Sequence, residues 1–171
     1  VNQLMAHPGI ALLSVTGGTA VVDVALRSGK RAIGAAAGNP PVLVDDTADP
    51  EKAARDIVAG HSFDNNMPCT SEKEVVVTAG IADRLLEAFT HANALVLDPK
   101  LLPQLEAVTL NEKRNGPNRF YIGKSACAIL SEMGIQADEE LRTIVVEVDK
   151  NHPVARLEMR MPGLPVVRVS D

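Results

Sequence analysis

GIALLSVTGG (residues 9–18), TAVVDVALRS (19–28) and GKRAI (29–33) follow one another without a break. The first is an apolar run that ends on Gly17 and Gly18. The second reads as a helix closed by Gly29, and a new strand starts at Lys30. Strand, glycine turn, helix, strand is a βαβ unit. It is short, and it reads as the tail of a nucleotide-binding domain rather than a whole one.

Downstream the same alternation continues. GNPPVLVD (38–45) is extended, because its double proline forbids a helix. Asp49 caps a helix whose first turn holds Pro50 and Glu51 and which runs to about residue 60. HSFDNNMPCTSE (61–72) is rich in turn formers and polar groups and reads as a loop. Strands are expected over 74–78, 94–97 and 143–148, with a closing strand within 161–170. Helices are expected over 81–92, 103–108 and 125–133, the last ended by Gly134. Residues 111–119 form a polar loop. Strands alternating with helices define the class as α/β.

Composition agrees. Of 171 residues, 46% are apolar and 23% charged, enough to build a core, while aromatics are 2% and Trp is absent. Val, Ile, Leu and Ala must fill that core, which suits a layered α/β protein. The net charge of −5, with no basic run, argues against a general nucleic-acid binder. No apolar stretch is long enough to cross a bilayer. Two cysteines are too few for a disulfide scaffold, and no secretory signal is visible, so a reducing cytoplasmic setting is expected. The chain opens at Val1 almost directly into a strand, and we expect it to be a fragment of a longer protein.

Chemistry concentrates in SFDNNMPCTSEKEVVV (62–77). Cys69 follows a proline in a polar loop just ahead of an apolar strand. Thiolates react and thiols largely do not, and a loop presenting backbone N–H groups lowers a thiol's pKa and stabilises an oxyanion. Against this stands an inert structural cysteine, since free cysteine is among the most buried residue types. The residues alone leave both readings open. Cys127, in the small apolar run SACAIL, is read as structural. Asp64, Asn65 and Asn66 are expected to shape the loop through side chain to backbone bonds. Glu72 and Lys73 are expected to form a local ion pair of little energetic value. His7, His61, His91 and His152 show no metal-ligand spacing and are read as structural, so no metal is expected.

The same segment resembles the nucleophile loop of the CoA-acylating aldehyde dehydrogenases, nearest to the propionaldehyde and acetaldehyde enzymes of bacterial microcompartments, which carry F-D-N-N-x-P-C-x-x-E-K. The resemblance places Cys69 on their nucleophile. SVTGGTAVV (14–22) resembles the family's strand-turn-helix beside the nicotinamide, with Thr16, Gly17 and Gly18 where the broader superfamily has Thr-Gly-Ser. AIGAAAGNPPVLVDDTAD (32–49) is similar to the segment that reads E-L-G-G-K-N-P in hydrolytic members. There the glutamate activates water, whereas Gly34, Ala35, Ala36 and Ala37 here offer no side chain that takes a proton; the same run also reads as a small-residue packing site. HPVARLEMRMPGLPVVRV (152–169) resembles the family's E-x-x-M-P segment, with Glu158, Met161 and Pro162 in place. The resemblance implies that Glu158 binds the nicotinamide ribose hydroxyls, a task that suits a carboxylate accepting two hydrogen bonds. It gives no role for Arg160.

The resemblance covers residues from about 7 to 169. It implies a three-layer α/β/α catalytic domain over residues 34–171, preceded over 1–33 by the last βαβ of a Rossmann-type NAD domain. It implies oxidation of a short-chain aldehyde with NAD through a Cys69 thioester, with CoA as acyl acceptor. The family takes a second oxyanion donor from an asparagine that is not in this chain, and because only the last βαβ of the cofactor domain is present, the isolated fragment is expected to bind NAD poorly and turn over slowly or not at all. A homo-oligomer, cytoplasmic or inside a microcompartment, is expected of the whole enzyme. Two alternatives stand beside this. One is the aldehyde domain of a bifunctional aldehyde/alcohol dehydrogenase, which tends to carry C-A-S-E-Q. The other is an inactive domain of the same fold kept as a scaffold, which has no need of a reactive thiol.

Overall fold

Among the described residues the seven strands pair only in parallel, as expected where helices alternate with strands. The computed structural model describes residues 1–170, which divide into two units, Val1–Gly38 and a second that begins at Asn39.

The first unit holds α1 (Asn2–Ala6), β1 (Leu12–Thr16), α2 (Thr19–Leu26) and β2 (Arg31–Ala35). Only α1 was not anticipated. β1 and β2 pair from Leu12↔Arg31 to Thr16↔Ala35. Gly29, at φ +78°, ends the α2 region in the left-handed conformation that a glycine adopts without strain. Gly34 is a packing site: a Cβ there would lie 2.6 Å from Val22 Cγ1 on α2. The two compact units part after Gly38, just past the end of β2. This unit is incompletely covered. It carries seven of the ten exposed large hydrophobics, among them Leu12, Val24, Leu26 and Ile33, although a parallel sheet normally has both faces buried.

The second unit holds β3 (Pro41–Val44), α3 (Pro50–His61), β4 (Glu74–Thr78), α4 (Ala79–Thr90), β5 (Ala94–Val96), α5 (Leu102–Thr109), α6 (Ala126–Glu132), β6 (Thr143–Glu147), α7 (Pro153–Arg156) and β7 (Gly163–Val169). Its sheet has the order β3-β4-β7-β6-β5. Asp49 caps α3 as expected, its Oδ1 accepting from Glu51 N at 3.0 Å and Lys52 N at 3.3 Å. Successive strand residues point to opposite faces. Val75, Val77, Val145, Leu164 and Val166 pack under α3 and α4, while Ile144, Val146 and Val167 pack on the other face with residues of α5, α6 and α7. The result is three layers, α/β/α. Ile144, Leu164, Leu85 and Phe89 are all fully buried, and each such side chain contributes roughly 1.5–3 kcal/mol of transfer free energy.

One consequence of the strand order matters for the site. β4 and β7 are adjacent and parallel, with Val75 opposite Val166. The segments that feed their N-terminal ends, residues 61–73 and 157–162, therefore arrive at the same end of the sheet. Open α/β sheets usually place ligands at the carboxyl ends of their strands; here the chemistry-bearing residues gather at the opposite end.

Candidate active site

The loop that carries Cys69 is tightly specified. Asp64, Asn65 and Asn66 have φ of 47°, 50° and 64°. Three consecutive left-handed residues are costly for most side chains, but Asn and Asp tolerate that region, which explains the D-N-N run. A 3-10 turn over Phe63–Asn66 results where sequence reading expected only an irregular loop.

Asn66 is the loop's anchor. It is 1% exposed, and its Nδ2 donates to the His61 carbonyl at 2.8 Å and the Glu72 carbonyl at 3.0 Å, tying the start of the loop to its end. His61, the last residue of α3, is also buried, and its Nδ1–H donates to the Glu72 carbonyl at 2.6 Å. Its Nε2 is buried without a hydrogen-bond partner among the described residues. Burial holds the His61 pKa down at about 4, against a smaller upward pull from the bond to Glu72, so the ring is neutral at pH 7.

Lys73 departs from expectation. It is not a surface partner of Glu72 but is buried, at 4% exposure. Its ammonium donates to the Asn66 carbonyl at 3.0 Å, Asn66 Oδ1 at 2.7 Å and the Pro68 carbonyl at 2.8 Å. An ammonium has three protons, and all three are used. The Glu72 carboxylate lies instead over Gly60, where a Cβ would collide with it. Burial lowers the Lys73 pKa; the nearby Glu158 carboxylate opposes this, Arg160 adds to it, and Cys69 and Glu72 oppose it more weakly. These charges share one neighbourhood because β4 and β7 are neighbours. The signal for Lys73 was present in the sequence. In KEVVVT, residues 73, 75 and 77 share a strand face, and Val75 and Val77 are core.

A second clasp braces the other side of the loop. Asn65 Nδ2 donates to the Gly123 carbonyl at 3.1 Å, Gly123 N donates to the Arg160 carbonyl at 2.9 Å, and Arg160 Nε reaches the Met67 carbonyl at 3.4 Å. Gly123 has φ +72°, and a Cβ there would lie 3.0 Å from Met67 Sδ. Arg160, itself at φ 55°, thereby gains a structural account.

Between the two clasps Cys69 is exposed. It is not a core cysteine, and its loop is immobilised by partners that leave the thiol facing solvent. Glu158 is half-buried at the entry to β7. Thr16, Gly17 and Gly18 lie in the first unit, at the turn from β1 to α2. Gly17 N donates to the Ala35 carbonyl at 3.1 Å, and Gly18 is the N-cap residue of α2. Gly18 has an ordinary φ of −62°, and a Cβ at either glycine would meet nothing within 4 Å. The chain's own packing leaves that turn open for the backbone to be approached closely, a property that fits a bound nucleotide. The remaining histidines have local partners. His152 caps α7 through Nδ1 at 3.3 Å from Val154 N and reaches the buried Glu106 carboxylate through Nε2 at 2.9 Å. His91 pairs with Glu51 at 3.1 Å, and His7 Nδ1 accepts from Gly9 N. No helix among the described residues is long and apolar enough to cross a membrane.

A parallel three-layer α/β unit that displays one exposed cysteine from a clamped loop defines a restricted class of protein. The chain belongs to the aldehyde dehydrogenase family, whose model matches residues 1–171. It is 45% identical over 171 residues to the propanal dehydrogenase (CoA-propanoylating) of Salmonella typhimurium, covering 99% of this chain and 36% of that protein. Among solved structures, it is similar to propionaldehyde dehydrogenase of Rhodopseudomonas palustris with bound propionyl-CoA, with TM-score 0.92, 49% identity, and coverage of 99% of this chain and 37% of that one. It is also similar to a propionaldehyde dehydrogenase from the fucose utilisation bacterial microcompartment of Clostridium phytofermentans, with TM-score 0.93, 42% identity, and coverage of 99% and 39%. The chain thus spans a little over a third of the length of the curated relatives it matches.

Proposed function

We propose that this chain is the nucleophile-bearing part of a CoA-acylating aldehyde dehydrogenase that converts a short-chain aldehyde to its acyl-CoA. The observation that carries the reading is Cys69, exposed on a loop whose backbone is fixed on both sides by buried partners. The Cys69 thiolate attacks the aldehyde carbonyl to give a thiohemiacetal, whose oxygen is held by the Cys69 backbone N–H. Bound NAD would supply the acceptor for the hydride that leaves the thiohemiacetal carbon. That leaves a thioester on Cys69, and the CoA thiol attacks it, forming acyl-CoA and freeing the Cys69 sulfur. Gly34 to Ala37 supply no base to activate water, which favours transfer to a thiol over hydrolysis.

Thr16, Gly17 and Gly18 are assigned to the cofactor's approach, supported by the open turn, and Glu158 to the ribose hydroxyls, supported by its position beside the Cys69 loop. Residues 1–33 are read as the end of the NAD-binding domain, in keeping with the exposed apolar residues there, and residues 34–171 as catalytic. The whole enzyme is read as a homo-oligomer of the cytoplasm or of a microcompartment lumen.

The test uses the protein that contains this chain, supplied with propionaldehyde, NAD and CoA. CoA-dependent NADH formation, abolished by Cys69→Ala, is expected. Formation of free propionate at the same rate without CoA would refute the acyl-transfer reading in favour of a hydrolytic one. No NADH under any condition would leave the scaffold alternative.

A further inference from the structure

The nucleophile loop holds a buried cation directly beneath it. Lys73 stands in the strand parity of Val75 and Val77, where an apolar residue would complete the buried face. Instead the chain buries an ammonium there and builds three oxygen acceptors around it, two from Asn66 and one from Pro68. Burying a charge is costly unless every proton finds a partner, and here each does.

The third acceptor is the informative one. The Pro68 carbonyl belongs to the peptide group whose N–H is that of Cys69. In a trans peptide the C=O and the N–H point in opposite directions. A donor that fixes the Pro68 oxygen inward therefore fixes the Cys69 N–H outward, toward the side on which the thiol is exposed. A charge-assisted bond to a carbonyl also draws electron density through the amide and makes its N–H a stronger donor. Asn66, held by His61 and Glu72, keeps the ammonium from moving.

We propose that Lys73 is a positioning residue for acyl transfer: its ammonium, bound to the Pro68 carbonyl, orients and polarises the Cys69 N–H that receives the developing oxyanion. This rests on the reading of Cys69 as the nucleophile. Lys73 touches neither substrate nor cofactor and acts through one peptide group. Because burial lowers its pKa, with Glu158 opposing, the effect weakens as pH rises into the lysine range and the ammonium loses its charge.

The test is acylation of the protein that contains this chain by the p-nitrophenyl ester of propionate labelled with carbon-13 at the carbonyl. The Cys69 sulfur attacks the ester carbonyl and p-nitrophenolate leaves, so the step needs neither NAD nor CoA and nothing is oxidised. Two readouts are taken: the burst of p-nitrophenolate, with the adduct mapped to Cys69, and the infrared stretching frequency of the labelled thioester carbonyl. Lys73→Met should slow acylation roughly tenfold, short of the ~10²–10³ that loss of a whole oxyanion donor costs. It should also raise the carbonyl frequency, whereas Lys73→Arg, which keeps the charge, should restore much of both. A native chain that acylates at Cys69 while Lys73→Met matches it in rate and frequency overturns the role of Lys73 and leaves the nucleophile reading standing. A native chain with no adduct at Cys69 overturns both.

Should Lys73→Met fail to fold, the native chain still decides the matter. With both thiols capped by methylation and the cysteine amides labelled with nitrogen-15, the Cys69 amide resonance should shift as pH rises from neutrality through the titration of Lys73. The Cys127 amide should not shift. A Cys69 amide that stays fixed over that range overturns the proposal.

Discussion

Cys69 and Cys127 carry the same thiol into opposite settings. Cys127 sits in the first turn of α6, half-buried, with its Sγ donating to the Asp138 carbonyl at 3.0 Å. Its sulfur is spent on packing and one weak hydrogen bond. Cys69 sits on irregular backbone, exposed, between residues held by buried polar groups. A regular helix satisfies its own backbone, so a cysteine on it needs nothing further. A loop held in a left-handed conformation must have its polar groups met by side chains from elsewhere, and the residues recruited to do so are where the protein concentrates buried His, Asn and Lys. A reactive cysteine is thus distinguished less by its sulfur than by what holds its neighbours.

The sharpest way to break this contrast is to exchange the sulfurs. Cys69→Ala should reduce acyl transfer by on the order of 10⁴-fold or more with an unchanged unfolding midpoint, whereas Cys127→Ala should leave the rate within about twofold. Equal losses from the two variants would show that the clamped loop confers nothing.

Next in size is the pH response of His61. Its folded pKa of about 4 lies below the ordinary 6.5, so between these values the unfolded chain binds a proton that the folded chain does not. The contribution of the neutral ring is fully present above pH 6.5, is lost as pH falls toward about 4, and changes no further below that. At 1.36 kcal/mol per unit the loss is on the order of 3 kcal/mol. Urea titrations across that range should show the slope in the native chain and lose much of it in His61→Phe, since Asn66 Nδ2 still serves the Glu72 carbonyl. A native and a variant slope of equal size would remove His61 from the clamp.

Asn66→Ala removes a buried donor to two carbonyls and puts alanine, which tolerates the left-handed region less well than asparagine, at φ 64°. About 2–3 kcal/mol of stability should be lost, with activity falling further than the folded fraction alone explains. Smaller still is a pair of glycines. Gly123→Ala meets both a φ of +72° and Met67 Sδ at 3.0 Å, and should cost about 2–3 kcal/mol, whereas Gly134→Ala at φ +75°, with open space around it, should cost about 1 kcal/mol. Equal costs would mean that Met67 yields freely and that the brace between Gly123 and the Cys69 loop is soft.

Much of this was legible in the chain. The β-branched run Val75–Val77 marked β4 at Glu74–Thr78, and Asp49-Pro50-Glu51 marked the start of α3, because such signals depend on a few neighbouring residues. Short elements escaped. α1 and α7 are five and four residues long, too short to show a helical period, and α7 exists because His152 caps it and its Val154 and Ala155 reach the core. Within the site, Cys69 stood out by its loop. Lys73 was misread as a surface partner of Glu72, since adjacent opposite charges suggest a pair when burial is unknown, although its parity with Val75 and Val77 pointed inward.

The sequence by itself determined the class of fold, the order of its elements and the candidate nucleophile, since all three are written in local periodicity and in one contiguous run of residues. Only the tertiary structure decided that β4 lies beside β7, and hence that the segments bearing Cys69 and Glu158 arrive at one end of the sheet. It alone decided that an ammonium sits under the Pro68 carbonyl. Strand order is set by which faces bury the most apolar surface and by the path of the crossover helices. Those are sums over the whole core, and no window of sequence contains them.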